Sequence, residues 1–99
     1  MGARLIWNEA KRQANRTKHG LDFKDAAWVL ESDIRWDVPR LRRGERRIES
    51  FAYVYDRLKV LMVVHVEGKP SRIVSFRTAS TVERRNYHEW LATDYKEAP

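Results

Sequence analysis

The chain has 99 residues, enough for one domain and too few for a second independent core, and its 42% hydrophobic and 11% aromatic content excludes disorder despite 34% charged residues. Twenty Lys and Arg against 14 Asp and Glu leave a net charge of +6, a field that suits a polyanion, above all nucleic acid, although acidic proteins would answer to it as well. The absence of cysteine excludes disulfide and thiolate chemistry and fits a cytoplasmic setting; the longest uncharged apolar run, Val60 to Val66, is too short to span a membrane, and Met1 to Ile6 does not resemble a signal peptide.

In chain order, Asn8 is placed to N-cap a helix through EAKRQANRTKH, which Gly20 ends because glycine accepts the left-handed position beyond a helix. A second helix is expected from Asp22, with Asp25 as a variant capping box and Leu21 stapled against Ala26. Its apolar face is Phe23, Ala26, Ala27 and Leu30, and it ends near Glu31 or Ser32. From Asp33 the period changes to two: Ile34, Trp36 and Val38 alternate with polar residues until Pro39 closes the strand. PRLRRGERR reads as a loop with Gly44 at its tip. Ile48 to Tyr55 and Lys59 to Val66 then form a hairpin around Asp56 and Arg57, and Ser71 to Phe76 adds a strand after a turn from Gly68 to Pro70. Ser80 with Glu83 is a capping box for a closing helix whose apolar stripe is Val82, Tyr87, Trp90, Leu91 and Tyr95. The expected fold is α+β, a single domain over 1–99 with two N-terminal helices, a four-stranded antiparallel meander and a C-terminal helix.

The basic residues cluster. Five arginines, Arg43 among them, fall between Arg40 and Arg47, a second group is Arg16, Lys18 and His19, and a third lies in RIVSFRTASTVERR at 72–85. Arginine outnumbers lysine, and its planar fork grips phosphate oxygens in pairs. Taken singly these are solvated charges; converging on one sheet face they would make a phosphate-binding groove. Strict alternation sets Ile73, Ser75 and Arg77 on one face of the last strand and Val74 and Phe76 on the other. Arg77 then leaves the sheet beside the final turn, held as a preorganised charge for a phosphoryl transition state or paired with Glu83. His19 at a helix C-terminus gains from the dipole as a cation, which explains it structurally and also suits a general acid. His65 and His88 read as structural or solvent-facing. The three histidines share no metal-ligand spacing, and there is no Gly-rich phosphate loop or nucleophile elbow, so no metal or cofactor is expected.

Three blocks, WNEAKRQANRTKHGLDFKDAAWVL, GERR and RIVSFRTASTVERRNY, resemble the BrnT family of bacterial toxins. Its members read W-D-x-x-K-x-x-x-N-x-x-K-H-G with a following F-x-x-A, then G-E-x-R, then R-I-I-S-A-R-x-A-x-x-x-E-R-x-x-Y. The matching positions are Lys11, Asn15, Lys18, His19, Gly20, Phe23 and Ala26, then Gly44, Glu45 and Arg47, then Arg72, Ser75, Arg77, Ala79, Glu83, Arg84 and Tyr87. Asn8 stands for the family's Asp, Phe76 for the small residue of S-A-R, and the VVHV strand end for an aromatic and Thr.

The resemblance implies a ribonuclease toxin with a RelE-like fold, acting in a type II toxin–antitoxin module where cleavage of RNA stops translation and growth. The implied partners are RNA and a BrnA-like ribbon-helix-helix antitoxin, with DNA contacted through the complex. The expected chemistry is attack by the ribose 2′-hydroxyl, leaving a 2′,3′-cyclic phosphate without metal. Candidate catalytic residues are Arg77, His19 and Lys18; candidate RNA-binding residues are Arg47, Arg84, Arg72, Arg43 and Tyr87. The competing reading is a basic module that binds nucleic acid or a protein partner without catalysis.

Overall fold

The computed structural model describes residues 4–94, so Tyr95 of the expected apolar stripe lies outside the described residues. Five strands form one mixed sheet in the order β1-β5-β4-β3-β2. Strands β2 (Trp36–Arg42), β3 (Glu45–Val54), β4 (Lys59–Val66) and β5 (Ser71–Thr78) are the expected antiparallel meander. The fifth, β1 (Leu5–Trp7), pairs parallel with β5 and corrects the expectation of four antiparallel strands. Three residues are too short to show a period of two, and only the long-range pairing of Leu5 with Ser71 and Trp7 with Ile73 makes them a strand.

Pro39 does not end β2. It sits within an edge strand, where its missing N–H costs no ladder bond. The expected loop shrinks to a two-residue turn at Arg43 and Gly44, both in the left-handed region at φ 51° and 80°, which joins β2 to β3 with the twist a hairpin needs. Arg40, Arg42, Arg46 and Arg47 are therefore strand residues in defined register, with Arg40 opposite Arg47.

Helix α1 (Glu9–His19) is capped as expected: the Asn8 side chain accepts from the Lys11 N–H at 3.0 Å, and Gly20, at φ 70°, donates to the Arg16 carbonyl. The second helix is shorter than expected, a 3₁₀ turn over Phe23–Ala26 running into α2 (Ala27–Leu30). Asp22 accepts from the Lys24 N–H two residues on, and its two oxygens are gripped by Arg12 at 2.8 and 2.9 Å, which ties the turn back to α1. Helix α3 (Thr81–Thr93) begins with both halves of the Ser80–Glu83 capping box.

The sheet carries a core on each face. On one, Phe23, Ala26, Val29 and Leu30 pack on Ala52, Leu61, Val63, Ile73 and Phe76. On the other, Tyr87, Trp90 and Leu91 of α3 cover Phe51, Val60, Met62 and Trp36, while Val82 is exposed and outside the expected stripe. Strict alternation fails in β5: the register shifts so that Val64 faces Ser75 but His65 faces Ile73. The extra residue, Val74, lets Ile73 and Phe76 share the helix-covered core, leaving Ser75 and Arg77 on the opposite face. Among the described residues no helix is long and apolar enough to cross a membrane.

Candidate functional site

Helix α3 covers only part of its sheet face, and the remainder is a groove of about 360 Å³ lined by Arg40, Arg42, Arg47, Glu49, Met62, Val64, Val74, Ser75 and Arg77. Each strand from β2 to β5 contributes. Period-two alternation delivers Arg40 and Arg42 from β2 and Arg47 and Glu49 from β3 to the same side. The floor is apolar and the walls carry four arginines against one glutamate, a concave surface of positive charge.

The guanidinium groups are held in place by carboxylates. Arg77 grips Glu83 in a two-point pair, Nη1 to Oε1 at 2.8 Å and Nη2 to Oε2 at 2.9 Å, and its Nη1 also donates to the Thr78 carbonyl. Glu83 accepts the Ser80 N–H as well, and Arg77 foremost holds its carboxyl down at about 2. Arg77 thus lies in the groove and is paired with Glu83, as the structural reading of it expected. Glu45 links Arg47 (Nε, 3.0 Å) to Arg72 (Nη2, 2.7 Å), and Arg40 reaches Glu49 at 3.2 Å. Glu45 thus ties Arg47 and Arg72 together, whereas the Arg40–Glu49 pair lies at the surface.

Helix α1 closes the side beyond β5. β1 pairs only with residues 71–73, which leaves the outer edge of β5 open further along. The buried Asn15 side chain fills it, accepting from the Phe76 N–H (3.1 Å) and donating to the Phe76 carbonyl (2.8 Å) and the Leu21 carbonyl (2.9 Å). Lys11, Asn15, Lys18 and His19 share one helical face at spacings of four, seven and eight residues, so docking Asn15 brings the others to the same edge. The charge of Lys11 acts on Glu45 at one end, and that of Arg77 acts on His19 at the other. His19 is pushed below its ordinary value, first by burial, then by Lys18 and Arg77. Lost solvent and two neighbouring cations thus oppose the helix dipole, which favours the protonated imidazole.

The remaining candidates separate. Lys18 is exposed on the last turn of α1, and Arg43 is exposed at the hairpin tip. Arg84 lies away from the groove, lining a smaller cavity of about 140 Å³ with Tyr53, Leu58 and His88. Tyr87 is fully buried, its hydroxyl donating to the Ile34 carbonyl at 2.6 Å and accepting from the Tyr53 N–H at 3.2 Å, and this corrects its placement among RNA-binding residues. The departures at Phe76 and His65 fall on the helix-covered side: Phe76 packs edge-on to Trp28, and His65 is buried with its Nε2 2.8 Å from the Ser50 hydroxyl. Glu49 was missed; its position two residues after Arg47 in a strand was the available signal. Among the described residues, no three His, Asp or Glu side chains come together as a metal-ligand set.

The family model described as "Ribonuclease toxin, BrnT, of type II toxin-antitoxin system" matches residues 7–83, from β1 through the groove to Glu83. The chain belongs to the BrnT family. No curated protein matches it. The BrnT match spans the α1 stripe, the Arg40–Glu49 hairpin and Arg77 with its partner, so the family segment coincides with the elements that build the groove.

Proposed function

We propose that the groove over β2 to β5 is the active site of a metal-independent endoribonuclease with a RelE-like fold, working as a single domain in the cytoplasm to stop translation and growth. The observation that carries this reading is the arrangement of Arg40, Arg42, Arg47 and Arg77 around the Met62–Val64 floor, in a BrnT chain. An RNA backbone laid over that floor meets guanidinium on both sides. Arg77, with its two terminal nitrogens on Glu83, keeps its Nε–H and cationic face for the phosphate; the ion pair holds it where charge develops on the pentacoordinate phosphorus. Lys18 and Arg72 extend the positive track along the RNA, and Arg43 meets it at the hairpin tip. The ribose 2′-hydroxyl attacks, a 2′,3′-cyclic phosphate forms, and the 5′-oxygen leaves. His19 handles the leaving proton: burial, Lys18 and Arg77 lower its pKa, and a bound phosphate offsets those charges and favours its protonation. The antitoxin is a BrnA-like ribbon-helix-helix protein that carries the complex to DNA.

One observation favours the non-catalytic module. Arg77, Arg47, Arg72 and Arg40 are each already paired with a carboxylate, as structural ion pairs are. Arg77→Ala separates the readings. With a catalytic site, fragment release falls about a hundredfold or more and toxicity disappears while antitoxin affinity is kept; undiminished cleavage by the variant removes Arg77 from the mechanism. RNA carrying 2′-deoxyribose at the scissile position should resist cleavage, and EDTA should leave the rate unchanged.

A further inference from the structure

We propose that Glu49 is the general base of the reaction, taking the proton from the attacking 2′-hydroxyl. This rests on the nuclease reading of the groove. A carboxylate in an anion-binding groove opposes binding, so its presence calls for a reason other than affinity. Its pairing with Arg40 does not supply one: that side chain is 60% exposed, Glu49 only 22%, and such surface pairs are worth about 0–1 kcal/mol. Arg40 engages Oε1, and Oε2 accepts no hydrogen bond among the described residues.

The sheet register places Glu49 where a base is needed. Arg77 pairs with Met62 and Glu49 pairs with Val64, so Glu49 and Arg77 stand on strands separated by β4. With neighbouring strands about 4.8 Å apart and a stagger of two residues, about 7 Å, along β4, their Cα atoms are about 12 Å apart, room for one phosphodiester between two long side chains. Helix α1, which carries His19, docks through Asn15 on the outer edge of β5, the side away from Glu49. In-line displacement requires the entering O2′ and the leaving O5′ on opposite sides of phosphorus, and Glu49 on β3 and His19 on the helix beyond β5 approach the groove from opposite directions. The step is balanced: the 2′-hydroxyl proton passes to Oε2 of Glu49 as the O2′–P bond forms, the P–O5′ bond breaks, and O5′ takes a proton from His19. Water then returns both groups to their starting states.

The test uses the full chain and an oligoribonucleotide spanning a mapped cut site. Glu49→Gln keeps the size of the side chain and an oxygen for Arg40 but cannot take the proton. Single-turnover cleavage should fall about 100-fold or more, while affinity for the same oligonucleotide with 2′-deoxyribose at the cut site holds or rises, because a negative charge has left the groove. The acid limb of the rate–pH profile should disappear. A substrate with sulfur in place of the bridging O5′ leaves without a proton, so it should rescue His19→Ala and not Glu49→Gln. Glu49→Ala, checked for an unchanged thermal melt, should regain cleavage when formate is added. Cleavage by Glu49→Gln within a few-fold of wild type, or its rescue by the sulfur substrate, overturns the assignment to Glu49 and leaves the nuclease reading standing. A wild-type protein that cuts no RNA removes both.

Discussion

Asn15 joins stability to site geometry, and replacing it tests both. Its amide makes three hydrogen bonds in a position only 7% exposed, two of them to the N–H and C=O of Phe76, one residue before Arg77. Asn15→Ala leaves the Phe76 N–H, the Phe76 carbonyl and the Leu21 carbonyl without that partner. At about 1–3 kcal/mol for each buried group left unsatisfied, and with water entering the space to recover part of it, the loss comes to about 3–5 kcal/mol. That is a large part of the roughly 5–15 kcal/mol that holds a domain of this size. Urea unfolding followed by tryptophan fluorescence measures it directly, and cleavage should fall in the folded fraction too, because α1 no longer docks His19 beside Arg77. Asn15→Asp sharpens the test: its carboxylate faces two carbonyl oxygens, so at pH 7 it should be less stable than Asn15→Ala. A carboxyl raised in this way is lost as charge when pH falls, so Asn15→Asp should gain stability relative to Asn15→Ala on acidification, when its O–H can donate. A loss below about 1 kcal/mol for Asn15→Ala would show that the β5 edge does not depend on this amide.

Three further outcomes follow from the same geometry. Tyr87→Phe removes the hydroxyl that bridges the Ile34 carbonyl and the Tyr53 N–H, so it should cost about 1–3 kcal/mol in denaturant unfolding and leave RNA affinity unchanged; weakened RNA binding at equal folded fraction would restore Tyr87 to the interface. Stability should rise with pH across two windows. Glu83, held at about 2, contributes fully above its ordinary 4.5 and loses that contribution as pH falls towards 2; His19 and His65, both held below 6.5, favour unfolding as pH drops beneath 6.5, because the unfolded chain takes up protons the folded one resists. Chemical denaturation from pH 3 to 8 checks the sign, and Glu83→Gln should flatten the lower window. Leu58 occupies the left-handed region at φ 54° and is exposed, so Leu58→Gly should stabilise by about 0.5–1 kcal/mol, read as a higher urea midpoint; a lower midpoint would mean that its side chain packs more than its exposure indicates.

Local signals were legible where the controlling interaction lies within a few residues. Asn8 and Gly20 bound α1, Ser80 with Glu83 starts α3, and Lys59 to Val66 is a strand at the expected limits, because caps and alternation are properties of neighbouring residues. The motif blocks likewise mark the BrnT family, and the family segment covers both ends of the groove. Elements governed by distant partners were misjudged. β1 exists because β5 offers it an edge, Pro39 is tolerated because β2 has no outer neighbour, and the second helix opens as a 3₁₀ turn whose cap, Asp22, is held by Arg12 of α1.

The sequence by itself determined the positive charge, the α+β class, the helix caps and the set of basic side chains available to meet a phosphate. Only the tertiary structure decided which of them meet. The Val74 bulge turns Ser75 and Arg77 to the open face, the Arg43–Gly44 turn brings Arg40 opposite Arg47, and Asn15 on the β5 edge brings His19 to Arg77, whereas Tyr87 is buried and Arg84 is directed elsewhere. The reason is physical: charge and capping are read along the chain, but the face a strand residue occupies depends on register, and register is set by partners up to 66 residues away, as between Leu5 and Ser71.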